Sequence, residues 1–313
     1  MALLIRSALL IVNPAARRAR AQRANAEAVF RRAGVHCPVV ETSAPGHAAE
    51  LARACPADTD AVFTLGGDGT VMEVLGALAC SGIPVAILPG GTGNLVARTL
   101  GIPRNVPRAV EALLQGERIT VDMGAIGGRR FVFAAGMGID TRMIAGTTPR
   151  MKRALGVAAY WLTAARAALA RRDFELRVRV DEQVFIRRAS AVMVANFGTM
   201  FGNLIHFGPG IGANDGRLDL CVFSPESTGD AIRVAWRLLR KDFRDDPCVH
   251  YASGRKMHIE TAPPQRFQAD GELLGTTPVE IEVVPGAATL MVPRGRGALA
   301  LAPTGGARPE CTA

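Results

Sequence analysis

The most constraining stretch of this chain is Ala61-Val62-Phe63-Thr64-Leu65-Gly66-Gly67-Asp68-Gly69-Thr70, followed by Val71-Met72-Glu73-Val74-Leu75. The apolar run up to Leu65 is short and reads as a buried strand. Thr70 with Glu73 three residues later reads as a capping box, so a helix is expected from Thr70 to Cys80. Between strand and helix lie three glycines in four positions. Glycine permits positive φ and close approach to the backbone. Free amides at a helix N-terminus attract anions. Together these features make a phosphate cradle. Asp68 within it would repel phosphate unless a divalent cation lies between them. Taken alone, the same residues also suit a tight βα turn that binds nothing.

The device occurs twice. Pro84-Val85-Ala86-Ile87-Leu88-Pro89 is a second strand-like run, followed by Gly90-Gly91-Thr92-Gly93-Asn94 and then Leu95 to Gly101. Asn94 suits an N-cap, and Gly101 with Pro103 beyond it suits a helix stop. One βαβ unit joins the two strands, so both glycine turns are expected at the same carboxyl edge of the sheet, where ligands of open α/β folds bind.

Gly66-Gly67-Asp68-Gly69-Thr70 followed by Gly91-Thr92-Gly93-Asn94 resembles the catalytic domain of the diacylglycerol kinase and sphingosine kinase superfamily, in its bacterial lipid kinase branch. NAD kinases and 6-phosphofructokinases carry related first loops, so the pair is the specific signal. The resemblance implies an α/β N-terminal domain with a parallel sheet (NAD kinase/diacylglycerol kinase-like) and an antiparallel β-sandwich C-terminal domain. It also implies ATP and Mg2+ as cofactors. Nucleotide contacts are then expected from Asn13, Thr42, Gly66, Gly67, Asp68, Gly69, Thr70, Glu73, Gly91, Thr92, Gly93 and Asn94. Three positions depart from common family patterns: Ala15-Ala16 after Asn13-Pro14, Leu95 after Asn94, and Phe133.

Alternating strands and helices are expected over 1–122, including a helix from Ala15 to Ala33 with Arg17, Arg18, Arg20 and Arg23 crowded at its start. Cations there oppose the helix dipole unless an anion lies near. From 123 to 293 the pattern turns to many short strands, the last of them Val279 to Val284, which suggests a sandwich. Asp181-Glu182-Gln183 reads as a hairpin turn. A helix from Arg153 to Ala170 interrupts the strands. Residues 294–302 are expected to return to the first domain with a strand over 298–301, and 303–313 to form a disordered tail.

In the second domain the resemblance assigns Asp215 to a structural magnesium, with backbone carbonyls of Gly212 and Arg217. It places Asp122 at the domain crossover, in a metal and water network with Asp68. Read without it, Asn214-Asp215-Gly216 is a turn and Asp270-Gly271 a hairpin. The resemblance makes Asp270 the general base toward an alcohol attacking ATP, with Glu272 as its neighbour.

A formal charge of +9 and a pI near 9.9 favour anionic partners. Scarce aromatics and the lack of any nucleic-acid-binding motif argue against nucleic acid. Six cysteines without a C-x-x-C pair exclude zinc-ribbon and thioredoxin readings and suggest reduced thiols. No run approaches the roughly 18–20 apolar residues of a spanning helix. The expected protein is thus a cytoplasmic lipid kinase in peripheral contact with the membrane, meeting a lipid alcohol there. Diacylglycerol is the first candidate and a sphingoid base the second. An NAD kinase or a silent binding module are the rival readings, and a homodimer stays open.

Overall fold

The computed structural model describes residues 5–138, 173–200 and 205–297. The first domain alternates as expected: β1 (Ala8–Val12), α1 (Ala19–Arg32), β2 (Val39–Glu41), α2 (His47–Arg53), β3 (Ala61–Gly66), α3 (Asp68–Ala77), β4 (Val85–Pro89), α4 (Leu95–Thr99) and α5 (Val106–Leu114). Strands β2-β1-β3-β4 are parallel neighbours in that order. Every residue of β1, β3 and β4 is buried. Helices cover both faces of such a sheet, which is why these strands are apolar runs rather than alternating ones. Helix α1 lies against α5, and α2 against α3.

The second domain begins with β5 (Glu117–Ile126), β6 (Arg129–Phe131) and β7 (Ala134–Met137). It continues with β8 (Phe174–Val180), β9 (Gln183–Ala189), β10 (Ala191–Ala195), β11 (Thr199–Met200), β12 (Ile205–His206) and β13 (Leu218–Phe223). Then come α6 (Thr228–Arg240), β14 (Val249–Gly254), β15 (Lys256–Ala262), β16 (Arg266–Ala269), β17 (Glu272–Thr276) and β18 (Val279–Val292). A six-stranded antiparallel sheet runs β14-β13-β10-β7-β16-β17. Alternation in β8, with Phe174, Leu176, Val178 and Val180 inward, supplies the facing layer. Side chains of both layers share one core, including Phe131, Val192, Leu220, Ile259 and Phe267.

One long strand couples the two domains. The first half of β18 pairs antiparallel with β15, and Leu290 and Met291 pair parallel with Val85 and Ala86 of β4. Its register against β5 shifts between Val284 and Ala288, where Pro285 and Gly286 (φ +59°) bend it. The strand expected to end at Val284 therefore continues into the other domain.

Several local expectations need correction. Helix α3 starts at Asp68, not Thr70, and has no side-chain cap. Thr70 Oγ1 accepts from Asn13 Nδ2 at 2.8 Å, and Glu73 accepts from the amides of Gly46 and Ala48 at 2.9 and 3.1 Å. Both side chains serve neighbouring elements, so no capping box forms. The helix α6 and strand β14 were not foreseen, although Ser227 and Asp230 make a complete capping box at the start of α6. Asp181 (φ +51°) does turn the chain from β8 into β9. Cys37, Cys55, Cys221 and Cys248 are free thiols, whereas Cys80 is disulfide-bonded, against the expectation of reduced thiols throughout. The helix expected over 153–170, the strand over 298–301 and the tail from 303 lie outside the described residues.

Candidate active site

Because β1, β3 and β4 run parallel, their carboxyl ends deliver Asn13, Gly66-Gly67 and Gly90-Gly91 to one rim. The two glycine loops pack backbone to backbone. The Gly90 amide donates to the Gly66 carbonyl at 2.9 Å. A Cβ on Gly91 would lie 2.6 Å from Gly67 Cα, so no larger residue fits without moving main chain. A Cβ on Gly66 would strike the Thr70 side chain at 2.7 Å, the same side chain that Asn13 holds.

Asp68 fastens one loop to the other. Its Oδ1 accepts from the Leu95 amide at 2.6 Å, at the start of α4, and its Oδ2 lies 2.6 Å from where a Gly93 Cβ would be. Burial raises its pKa, against the opposing amides of Leu95, Asn94 and Val96. The Asp68 carboxylate thus occupies the helix start of the second loop itself. Asn94 (φ +48°) closes that loop on Gly91, accepting from its amide at 2.9 Å and donating to its carbonyl at 2.8 Å. The first-turn amides of α3 at Gly69 and Thr70 have no acceptor within the helix, the kind of donor that takes anion oxygens. This arrangement fits a triphosphate.

Other expected nucleotide residues are placed around this cradle. Thr42 follows β2 at the same edge, its amide bonded to the Val12 carbonyl. Glu73 is occupied at the start of α2, as described above, and acts as a brace. His47 Nδ1 takes the Ser43 amide at 3.0 Å and meets Ser43 Oγ at 2.9 Å, a turn lock. The start of α1 abuts the second loop through the Arg18 amide on the Gly90 carbonyl at 3.0 Å. Arg17, Arg18 and Arg20 are exposed there. No acidic side chain lies in the first turn of α1. A nearby anion would relieve that conflict with the helix dipole.

The second domain contributes the β16–β17 hairpin. Asp270 (φ +47°) and Gly271 (φ +90°) form its tip, as an Asp-Gly pair favours. The Asp270 carboxylate is held by three consecutive amides: Val132 at 2.7 Å, and Phe133 and Ala134 at 3.0 and 2.9 Å. Burial pushes its pKa up to about 6 against those amides, and the charge of Asp68 adds to the rise. The two acids therefore sense each other across the domains. Most of Asp270's acceptor capacity is turned inward. Glu272 differs, with 53% of its side chain exposed and Arg129 at 3.6 Å. Its Oε1 lies 3.0 Å from the position a Gly69 Cβ would take, directly over the first turn of α3.

A second acidic group lies at the 212–219 turn. Asp122 is 1% exposed, and its oxygens accept from the Gly216 and Gly286 amides, each at 2.7 Å. It ties the turn to the bend in β18. The direct hydrogen bonds of Asp122 run to this turn, to the bend in β18 and, through its carbonyl, to Asn196. Asp215 Oδ1 accepts from the Arg217 amide at 3.0 Å. Of the motif from Asn214 to Asp219, sequence reasoning gave the carboxylate role to Asp215 alone, yet Asp219 Oδ2 is buried without a hydrogen-bond partner. Burial pushes Asp219 up to about 6, and the charge of Asp215 adds to it. Among the described residues no three His, Cys, Asp or Glu side chains converge as a metal site. One or two carboxylates with backbone carbonyls and waters satisfy magnesium, however. The orphaned Asp219 oxygen beside Asp215 fits such an ion.

That orphaned oxygen has a pH signature. The folded pKa lies above the value near 4 of an unfolded aspartate. The native state then binds the proton more tightly. Its contribution to stability is complete below about pH 4 and is lost as pH rises through 6. Between pH 5 and 7, with chelator present, Asp219→Asn is expected to flatten the fall of the melting temperature. An unaltered slope in circular dichroism melts would show that burial, against the Ser253 hydroxyl and Arg217, does not raise the Asp219 pKa into this range.

Comparison with known proteins agrees with this geometry. Residues 7–126 match the diacylglycerol kinase catalytic domain, and residues 134–292 match the "YegS C-terminal NAD kinase beta sandwich-like domain". An uncharacterized Synechocystis protein is 31% identical over 74% of this chain, which spans only 54% of that relative. A Bacillus subtilis protein named diacylglycerol kinase is 28% identical, over 80% of this chain and 84% of its own length. The crystal structure of a candidate diacylglycerol kinase of Bacillus anthracis superposes with a TM-score of 0.76 at 27% identity, covering 93% of this chain and 99% of the other. No helix among the described residues is long and apolar enough to cross a membrane. With both domain matches in sequence and two packed glycine loops faced by a carboxylate hairpin, the chain belongs to the diacylglycerol kinase family of bacterial lipid kinases, which are phosphotransferases using ATP.

Proposed function

We propose that this protein transfers the γ-phosphoryl group of ATP to the hydroxyl of a lipid alcohol, diacylglycerol first and a sphingoid base second. The observation that carries the reading is the approach of Glu272 Oε1 to Gly69, which puts an open carboxylate of one domain over the phosphate-facing helix start of the other. The named Bacillus subtilis relative supports diacylglycerol.

The roles follow from the contacts. The α3 amides bind phosphate oxygens and fix the direction of transfer, since positioning and charge stabilisation dominate phosphoryl transfer. Asn13, through Thr70, and Asp68, through Leu95, keep the two loops in register. Thr42, Thr92 and Asn94 shape the nucleotide side. Asp270 anchors the hairpin on Val132, Phe133 and Ala134, and Glu272 takes the proton of the attacking hydroxyl. This assigns the base to the second carboxylate of Asp-Gly-Glu rather than the first, because the first has its oxygens on backbone amides. A Mg2+ ion beside Asp68 Oδ2 would neutralise phosphate charge. A second, held by Asp215, Asp219 and the carbonyls of Gly212 and Arg217, would stiffen the turn that Asp122 ties down.

The test is transfer of label from γ-labelled ATP to a panel containing dioctanoylglycerol, monoacylglycerol, sphingosine and NAD. Label is expected in a phospholipid product, with dioctanoylglycerol the best acceptor. Label in NAD alone, or in no acceptor, would overturn the lipid kinase reading.

A further inference from the structure

Asn196 follows directly on β10 and is 0% exposed. Its Nδ2 gives one N–H to the Asp122 carbonyl and the other to the Val132 carbonyl, each at 2.7 Å. Its Oδ1 is buried and has no hydrogen-bond partner among the described residues. A buried acceptor left unpaired opposes folding, so stability alone does not account for an asparagine here. A carboxamide is the uncharged side chain that offers two donors from one atom, which is what two facing carbonyls demand.

The groups that Asn196 grips lead to the hairpin on one side and to the domain junction on the other. Val132 carries both the carbonyl held by Asn196 and the amide that binds Asp270 Oδ2 at 2.7 Å. The main-chain amides of Asn196 and Phe197 donate to the Phe133 carbonyl at 3.0 and 3.2 Å, and the rings of Phe133 and Phe197 stack at 5.8 Å. Asp270 returns its own amide to the Ala134 carbonyl at 2.9 Å. The main chain that seats the hairpin tip is therefore fixed from behind by residues 196 and 197. On the other side, the Asp122 carboxylate takes the amides of Gly216 and Gly286, so the same asparagine reaches the bend of β18 between the domains.

We propose that Asn196 is a positioning residue for phosphoryl transfer, locking residues 132–134 to Asp122 and so setting where the Asp270–Glu272 hairpin stands over the first glycine loop. This rests on the lipid kinase reading with Glu272 as base and extends it to what holds that base in place. Asn196 acts at one remove. Its grip passes through Val132 to Asp270 and along the hairpin to Glu272, whose Oε1 lies 3.0 Å from where a Gly69 Cβ would be. Gln268 and Ala269 pair with Gly136 and Ala135 independently of Asn196, so the sheet can persist while the tip shifts. A shift of about 1 Å at the reacting groups can cost about a hundredfold in rate.

Asn196→Ala and Asn196→Leu, the second filling the space, test this in the full chain. Each is expected to lower kcat on dioctanoylglycerol about tenfold or more, with the KM for ATP changed by no more than about twofold. Val192→Ala, a buried truncation on β10, is the control: it should lower the melting temperature and leave kcat at the wild-type value. Hydrogen exchange gives a readout without turnover. The amides of Val132, Phe133 and Ala134 should exchange about tenfold faster in the Asn196 variants than in Val192→Ala at matched stability. Should neither Asn196 variant fold, the wild type decides, since its Asn196 side-chain protons must open together with the Val132 and Phe133 amides. Separate opening there, folded variants with wild-type kcat, or exchange at 132–134 no faster than in Val192→Ala would overturn the role of Asn196. Full activity in Glu272→Gln would refute the base instead, and the exchange result would still stand.

Discussion

Glu272→Gln is expected to lower the rate of phosphoryl transfer by about two to four orders of magnitude, the usual contribution of a general base. Its melting temperature should match the wild type. The side chain is half exposed, and its described ionic partner, Arg129, is more exposed still. Surface pairs of that kind contribute about 1 kcal/mol or less. Asp270→Asn is the necessary companion. An amide there leaves only one acceptor oxygen for the amides of Val132, Phe133 and Ala134, and aims an N–H at another donor. An orphaned buried amide costs about 1–3 kcal/mol. The Asp270 variant should therefore lose stability and, through a displaced hairpin, activity as well. Calorimetry beside a labelled-ATP assay separates the two. Normal turnover in Glu272→Gln, with a stable but inactive Asp270→Asn, would return the base role to Asp270.

That pair shows where sequence reasoning reached and where it stopped. Asp-Gly-Glu was legible as a hairpin and, through the resemblance, as a source of the base. Which carboxylate stays open depends on the backbone of residues 132–134, more than a hundred positions away in the chain, and no local pattern carries that. Thr70 and Glu73 teach the same lesson. Their spacing is that of a capping box, yet Asn13 and the Gly46–Ala48 turn claim both side chains. Tertiary demand outweighs a local cap contribution of about 1 kcal/mol. The apolar runs of β1, β3 and β4 were readable because full burial imposes one composition on every position. Strand β18 was read only to Val284, since Pro285-Gly286 signals a stop in sequence but makes a bend that carries the chain on to β4. The motif from Asn214 to Asp219 pointed to Asp215 alone as its carboxylate; that Asp219 joins it depends on burial of its Oδ2, which no local pattern carries.

Gly69→Ala should separate fold from chemistry most cleanly. Gly69 sits in the first turn of α3 and does not adopt a positive φ. Alanine is the better helix former by about 1 kcal/mol, so the variant should melt at or slightly above the wild-type temperature. The new methyl, however, would lie 3.0 Å from Glu272 Oε1, closer than a carbon and a carboxylate oxygen comfortably stand. Glu272 ends a mobile, exposed side chain and can yield by a few tenths of an ångström without disturbing the sheet. Proton transfer has no such tolerance: a displacement of about 1 Å can cost about a hundredfold. A fall in kcat of about tenfold or more is therefore expected, with ATP affinity nearly retained. Gly91→Ala supplies the contrast. Its methyl would meet main chain at Gly67, 2.6 Å away, and no side chain can move to make room. That variant should lose stability by about 1–3 kcal/mol, the range for overpacked sites, and nucleotide binding with it. Should Gly69→Ala retain full kcat, Glu272 does not act from over the first glycine loop, and the carboxylate that closes this cradle must be sought elsewhere in the cleft.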